Sequence, residues 1–152
     1  MNVPLHRSEE WLAFFAAGLD LVPQIAQRPS LELLRAYFEA RTSFWPFPYA
    51  TSEWSPGNFD SLELEPPTAF QLIPAATALL LEQTKFYQIA NAGWLLEQIV
   101  RTSDTTEMPT FLDEQWAAVM SLLESVEGED ARQLADIAKD YLRRWYRRHR
   151  HL

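Results

Sequence analysis

From Ala131 to Trp145 apolar side chains return every three or four positions, at Ala131, Leu134, Ala135, Ala138, Tyr141, Leu142 and Trp145. This matches the 3.6-residue turn of an α-helix and predicts one amphipathic helix over about 130–148. Arg132, Asp136, Lys139, Asp140, Arg143 and Arg144 fall on its polar face, with Asp140 and Arg144 at the spacing of a favourable helical pair.

The same period recurs upstream with more interruptions. Trp11, Leu12, Phe15, Leu19 and Val22 follow Ser8, Glu9 and Glu10, an N-cap with acids facing the positive end of the helix dipole, so a helix is predicted over about 9–21, ending before Pro23. Ser30 caps a second helix that reaches about Arg41 and buries Leu31, Leu34, Tyr37 and Phe38. Thr68 to Gln71 form a capping box at the start of a long apolar region, which Pro74 kinks or restarts. Leu79, Leu80, Phe86, Ile89, Ala90, Gly93, Trp94, Leu96 and Val100 are helical in spacing but apolar over a wide arc, which marks 75–102 as the central element. It is either one continuous helix or broken at Gln83–Lys85 or Asn91–Gly93. After a polar loop at 103–109, Thr110 caps a helix with the stripe Leu112, Trp116, Val119, Met120, Leu123 and Val126, which Gly128 stops.

Helical spacing fails between 42 and 67, where five of the ten prolines and six of the twenty aromatics lie. Ser55 to Asn58 read as a tight turn. Leu62 to Glu65 alternate as a short strand would, but no second strand is evident to pair with it. The expected fold is therefore an all-α, single-domain bundle of five to six helices spanning 1–152, with a long irregular loop at about 42–67 and a basic C-terminal end at 143–152. A structureless loop of this length within a compact domain tends to be functional.

Composition narrows the chemistry. The chain has no cysteine, so disulfides, thiolate metal sites and cysteine nucleophiles are excluded. Histidine occurs only at 6, 149 and 151, which leaves a histidine triad or metal cluster dependent on chain termini; His149 and His151 read as surface decoration. Four single glycines cannot assemble a phosphate-binding loop. Carboxylates are plentiful, but Glu9/Glu10, Asp113/Glu114 and Glu129/Asp130 sit where helix starts favour acids, and no Glu-x-x-His motif supports a di-metal bundle. Glu82 and Glu97 have apolar neighbours and are candidates for buried carboxyls, although the reading taken is that both lie on helix surfaces. Neither a cofactor nor a metal is expected.

Charge is distributed unevenly. All 21 acids lie at or before Asp140, and the five arginines of the last ten residues leave 1–142 with eight basic side chains and a net charge of −13. Dipole compensation and solubility account for the arginines, with an acidic partner as the lesser alternative; nucleic acid is an unfavoured partner for so acidic a body. The most apolar stretch, 11–22, is too short to span a bilayer, and the N-terminus lacks a signal-peptide pattern, so a soluble, cytoplasmic protein is expected.

The aromatics of the loop either cover the bundle or form a recognition surface. In the second case Phe44, Trp45, Phe47, Tyr49, Trp54 and Phe59 are anchors, and Glu53, Asp60, Glu63 and Glu65 form an acidic rim complementary to a basic protein. The expected function is a non-enzymatic protein–protein interaction module, an inhibitor of the immunity or antitoxin type that binds a basic toxin or effector. The alternative is a small-molecule binder or carboxylate-dependent enzyme with a pocket between this loop and the central helix. A self-associating subunit is a third.

Overall fold

The computed structural model describes residues 18–42, 59, 62–105 and 107–150. Seven helices lie within them: α1 (Val22–Gln27), α2 (Leu31–Thr42), α3 (Pro66–Glu82), α4 (Phe86–Ser103), α5 (Thr110–Glu114), α6 (Trp116–Glu124) and α7 (Glu129–Arg150). No strand occurs among the described residues, and the chain forms one compact all-α domain. The helix expected over 9–21 lies largely outside them. Its described end, 18–20, is helical and breaks at Leu21, before Pro23 as expected, but α1 begins at once with Pro23 in its first turn, where its missing N–H has no helical acceptor to serve.

The count exceeds five to six because α1 is a helix that the periodicity does not predict and two expected helices divide. The long apolar region breaks at 83–85, where Gln83 and Lys85 turn extended (ψ 143° and 138°). Gln83 stabilises that end itself, its Nε2 donating to the Leu79 carbonyl at 2.9 Å. The helix expected after Thr110 divides at Gln115, whose φ and ψ of −96° and 8° leave the helical region although its N–H still reaches the Phe111 carbonyl. Gly128 is not the stop of that helix, which ends at Glu124. With φ +95° it opens α7, its carbonyl accepting from the Arg132 N–H at 2.7 Å.

Of the expected caps within the described residues only that of Ser30 forms; Thr68 and Thr110 stand inside α3 and α5, whose N-cap residues, Glu65 and Pro109, make no side-chain capping bond. Ser30 Oγ accepts the Leu33 N–H at 3.2 Å and caps α2. α3 starts two residues before the Thr68 box, because Pro66 and Pro67 fit the first turn of a helix. Pro74 is exposed and α3 continues through it.

The core is organised around α4. Eleven of its 18 residues are buried, and it packs against α3, α7, α6 and α2. Gly93 permits the closest approach: a Cβ there would stand 2.6 Å from Leu123 Cδ2 and 3.6 Å from Ala138 Cβ. α7 contributes the stripe Ala131, Ala135, Ala138, Leu142 and Trp145, all buried. It is joined to α6 by Arg132, whose Nη1 donates to the carbonyls of Glu124 (3.1 Å) and Val126 (3.2 Å).

Candidate functional site

The approach to α3 is the described part of the loop. Phe59 is fully buried, its ring centroid 6.1 Å from those of both Tyr37 and Phe38 on α2. Its carbonyl accepts two hydrogen bonds, from Gln98 Nε2 on α4 at 3.0 Å and from the Leu62 N–H at 2.9 Å. Leu62 is buried and Leu64 half-buried, whereas Glu63 and Glu65 are exposed. The alternation seen in the sequence is therefore real in its effect, apolar inward and acid outward, without a strand to produce it.

This corrects one assignment. Phe59 is a core side chain and not a surface anchor, because Tyr37 and Phe38 of α2 supply aromatic surface against its ring. Glu63 and Glu65 do face solvent, as an acidic rim requires. Phe44, Trp45, Phe47, Tyr49, Glu53, Trp54 and Asp60 lie outside the described residues.

The adjoining helix α2 adds acidic groups. Arg35 is held by Glu82 in a two-point fork, Nε to Oε1 at 3.0 Å and Nη2 to Oε2 at 2.5 Å. That hydrogen bonding raises the guanidinium above its ordinary value, with Glu82, Glu39 and Glu32 adding attraction against a smaller opposing effect of burial. Glu82 is thus a paired surface residue, as expected from the sequence.

Glu97 departs from that expectation. On α4 it lies four residues after Gly93 and three before Val100, in the buried arc, and its side chain is 5% exposed. Oε2 accepts from Arg101 Nη2, while Oε1 is buried without a hydrogen-bond partner. Burial pushes the carboxyl above the usual carboxylate range, and the Arg101 charge pulls part of the way back. Arg101 in turn lies over the Tyr141 ring of α7, 4.6 Å from its centroid. A carboxyl so placed holds its proton more firmly than a surface glutamate does. The apolar period around position 97, together with Arg101 four residues on, was the available signal for this burial. Nothing local in the sequence marks Gln98, whose side chain bonds a carbonyl 39 residues away.

A second polar connection joins α2 to α4. Gln88 Nε2 donates to Thr42 Oγ1 at 3.0 Å and Asn91 Nδ2 donates to Gln88 Oε1 at 3.1 Å, with Thr42 Oγ1 donating to the Phe38 carbonyl at 2.7 Å.

At the C-terminal end the aromatics belong to the packing. Trp116 stacks on Tyr146 (3.9 Å, 5°), whose hydroxyl donates to Asp113 Oδ1 at 2.6 Å. His149 is not surface decoration: it is half-buried, with Nδ1 2.8 Å from the Trp145 carbonyl and Nε2 2.7 Å from that of Thr105. Arg144, Arg147 and Arg148 remain exposed. Among the described residues no group of three or more His, Asp or Glu is placed to hold a metal ion, and no helix is long and apolar enough to cross a membrane.

Fold and site together define an all-α, single-domain bundle that displays carboxylates on a backbone fixed to its core. No family model, curated protein or solved structure matches the chain.

Proposed function

We propose that the protein is a non-enzymatic protein–protein interaction module that binds a basic partner through the acidic surface at 59–65 and the aromatic segment before it. The observation that carries this reading is the fixed outward presentation of Glu63 and Glu65, with Phe59 and Leu62 buried beneath them and Gln98 holding the Phe59 carbonyl. Carboxylates on a prearranged backbone lose little entropy on meeting a partner, and an overall charge of −8 steers a basic one toward them. An inhibitor of a basic toxin or effector is the kind of protein this arrangement suits.

The experiment is capture from host lysate with three baits: the wild type, Glu63→Lys/Glu65→Lys, and Trp45→Ala/Trp54→Ala, each first shown by melting to be folded. The expected result is one basic protein, recovered stoichiometrically by the wild type, lost with both variants, and bound more weakly as salt rises. Recovery of no stoichiometric partner, or of one held equally by all three baits, overturns the reading.

One observation favours the alternative of a ligand site using carboxyl chemistry, namely the unpartnered Oε1 of Glu97. A saturable rise in melting temperature with a nucleotide, lipid, aromatic metabolite or divalent metal, abolished in Glu97→Gln, would support it.

A further inference from the structure

Asp130, Gln133, Ile137, Asp140, Arg144 and Arg148 follow one another at intervals of three or four residues and so form a single stripe along α7. All six are exposed, and Ile137, near the middle, is 48% exposed, more than Leu19 or Phe86, the other large apolar side chains at the surface. Half-buried Leu134 and Tyr141 lie beside it on the same side of the helix. The stripe is apolar at its centre and oppositely charged at its ends.

The charges divide cleanly. Glu129 and Asp130 stand at the start of α7, and Arg144, Arg147 and Arg148 near its end. No ion pair within the described residues engages Asp130, Arg144, Arg147 or Arg148; those of α7 are made by Arg132, Asp136, Lys139 and Arg143, which lie to one side of the stripe. The Asp140–Arg144 pair expected from their spacing is not among them. A helix of 22 residues is about 33 Å long, so its two ends cannot neutralise each other within one molecule.

We propose that α7 pairs antiparallel with α7 of a second copy of this chain, about a two-fold axis at Ile137. In that register Ile137 meets its own counterpart, and Asp130 of each copy faces Arg144 of the other, so the charge pair forms twice, as a two-fold interface requires. A parallel arrangement would oppose arginine to arginine and acid to acid, which the charges disfavour. A single helix-on-helix contact is small for a protein interface, so the dimer is micromolar and salt-sensitive. This surface is separate from the one at 59–65, and the inference does not depend on the partner proposed there.

The test is sedimentation of the full chain over a concentration series at low and high salt. A monomer–dimer equilibrium that weakens as salt rises is expected. Asp130→Arg and Arg144→Glu, each alone, should weaken it by roughly tenfold or more, and Ile137→Glu should abolish it. The charge-exchanged double variant, Asp130→Arg with Arg144→Glu, should recover dimerisation, because the exchanged charges again oppose one another in the antiparallel register and in no parallel one. Melting at high dilution checks that each variant folds. A wild type that stays monomeric at the highest concentration overturns the proposal, as does a dimer indifferent to these substitutions. Retention of a monomeric wild type on an immobilised polyanion, lost in Arg144→Glu, would also overturn it and assign the arginines to such a ligand.

Discussion

Helices α4 and α7 pack against each other, yet eleven of the 18 residues of α4 are buried whereas α7 buries one stripe and leaves most of its charged side chains exposed. On α4, therefore, a polar side chain must find a partner inside the protein or give up its charge. Gln88 and Asn91 take the first course, and Glu97 combines the two, with Arg101 on one oxygen and a raised affinity for protons on account of its burial. On α7 the equivalent choices cost little, so Arg144, Arg147 and Arg148 can be placed for recognition instead of stability. The same element type thus serves as hub in one case and as face in the other.

The sharpest division between them is in packing. Leu96→Ala on α4 removes a fully buried side chain and should destabilise by about 2–5 kcal/mol, read from the midpoint of denaturant unfolding. A cost below that range would mean that α4 is not the hub. Gly93→Ala should cost about 1–3 kcal/mol, since its added carbon would collide with Leu123 Cδ2, and Leu123 is itself fully buried with little room to yield. A neutral result there would show that α6 can shift away from α4.

Next comes a dependence on pH. Because burial holds the Glu97 carboxyl above its ordinary value, the folded chain keeps this proton over a range in which the unfolded chain has released it. The stability linked to this group is full below the ordinary carboxylate value and falls as pH rises from there through the folded-state value. Glu97→Gln cannot ionise and lacks that fall. The melting temperature of the variant minus that of the wild type should therefore grow as pH rises above the ordinary carboxylate value of about 4.3. A flat difference would show that Arg101 offsets the cost of burial entirely. The smallest effect belongs to α7: Ile137→Ala, melted at high dilution, should stay within about 0.5 kcal/mol of the wild type.

The comparison also shows what could be read from the chain. α7 was visible almost to its ends because one apolar stripe alternates with one polar face, and Ser30 marked the start of α2 through a capping rule that needs only local chemistry. Within α3 and α4 apolar residues lie on most sides, so period alone could not choose between a continuous helix and a break; the choice fell to the Gln83 side chain bonding back to Leu79. The burial of Glu97 is not fully legible in the sequence, because it depends on how α4 is surrounded and not on its neighbours in the chain. The inward placement of Phe59 is hidden for the same reason: the rings that receive it, Tyr37 and Phe38, lie some twenty residues away in the chain. The outward placement of Glu63 and Glu65 followed from simple alternation.

Arg132 reaches back only eight residues to the carbonyl of Glu124, while Gln98 reaches across 39 to that of Phe59. Closing the longer loop costs about 1.4 kcal/mol more in chain entropy, before any contact repays it. During folding, then, the α6–α7 hairpin should assemble early and the 59–65 segment should dock late. In kinetic terms, Arg132→Ala should chiefly slow folding, and Gln98→Ala should chiefly speed unfolding, a division that stopped-flow refolding and unfolding limbs would resolve.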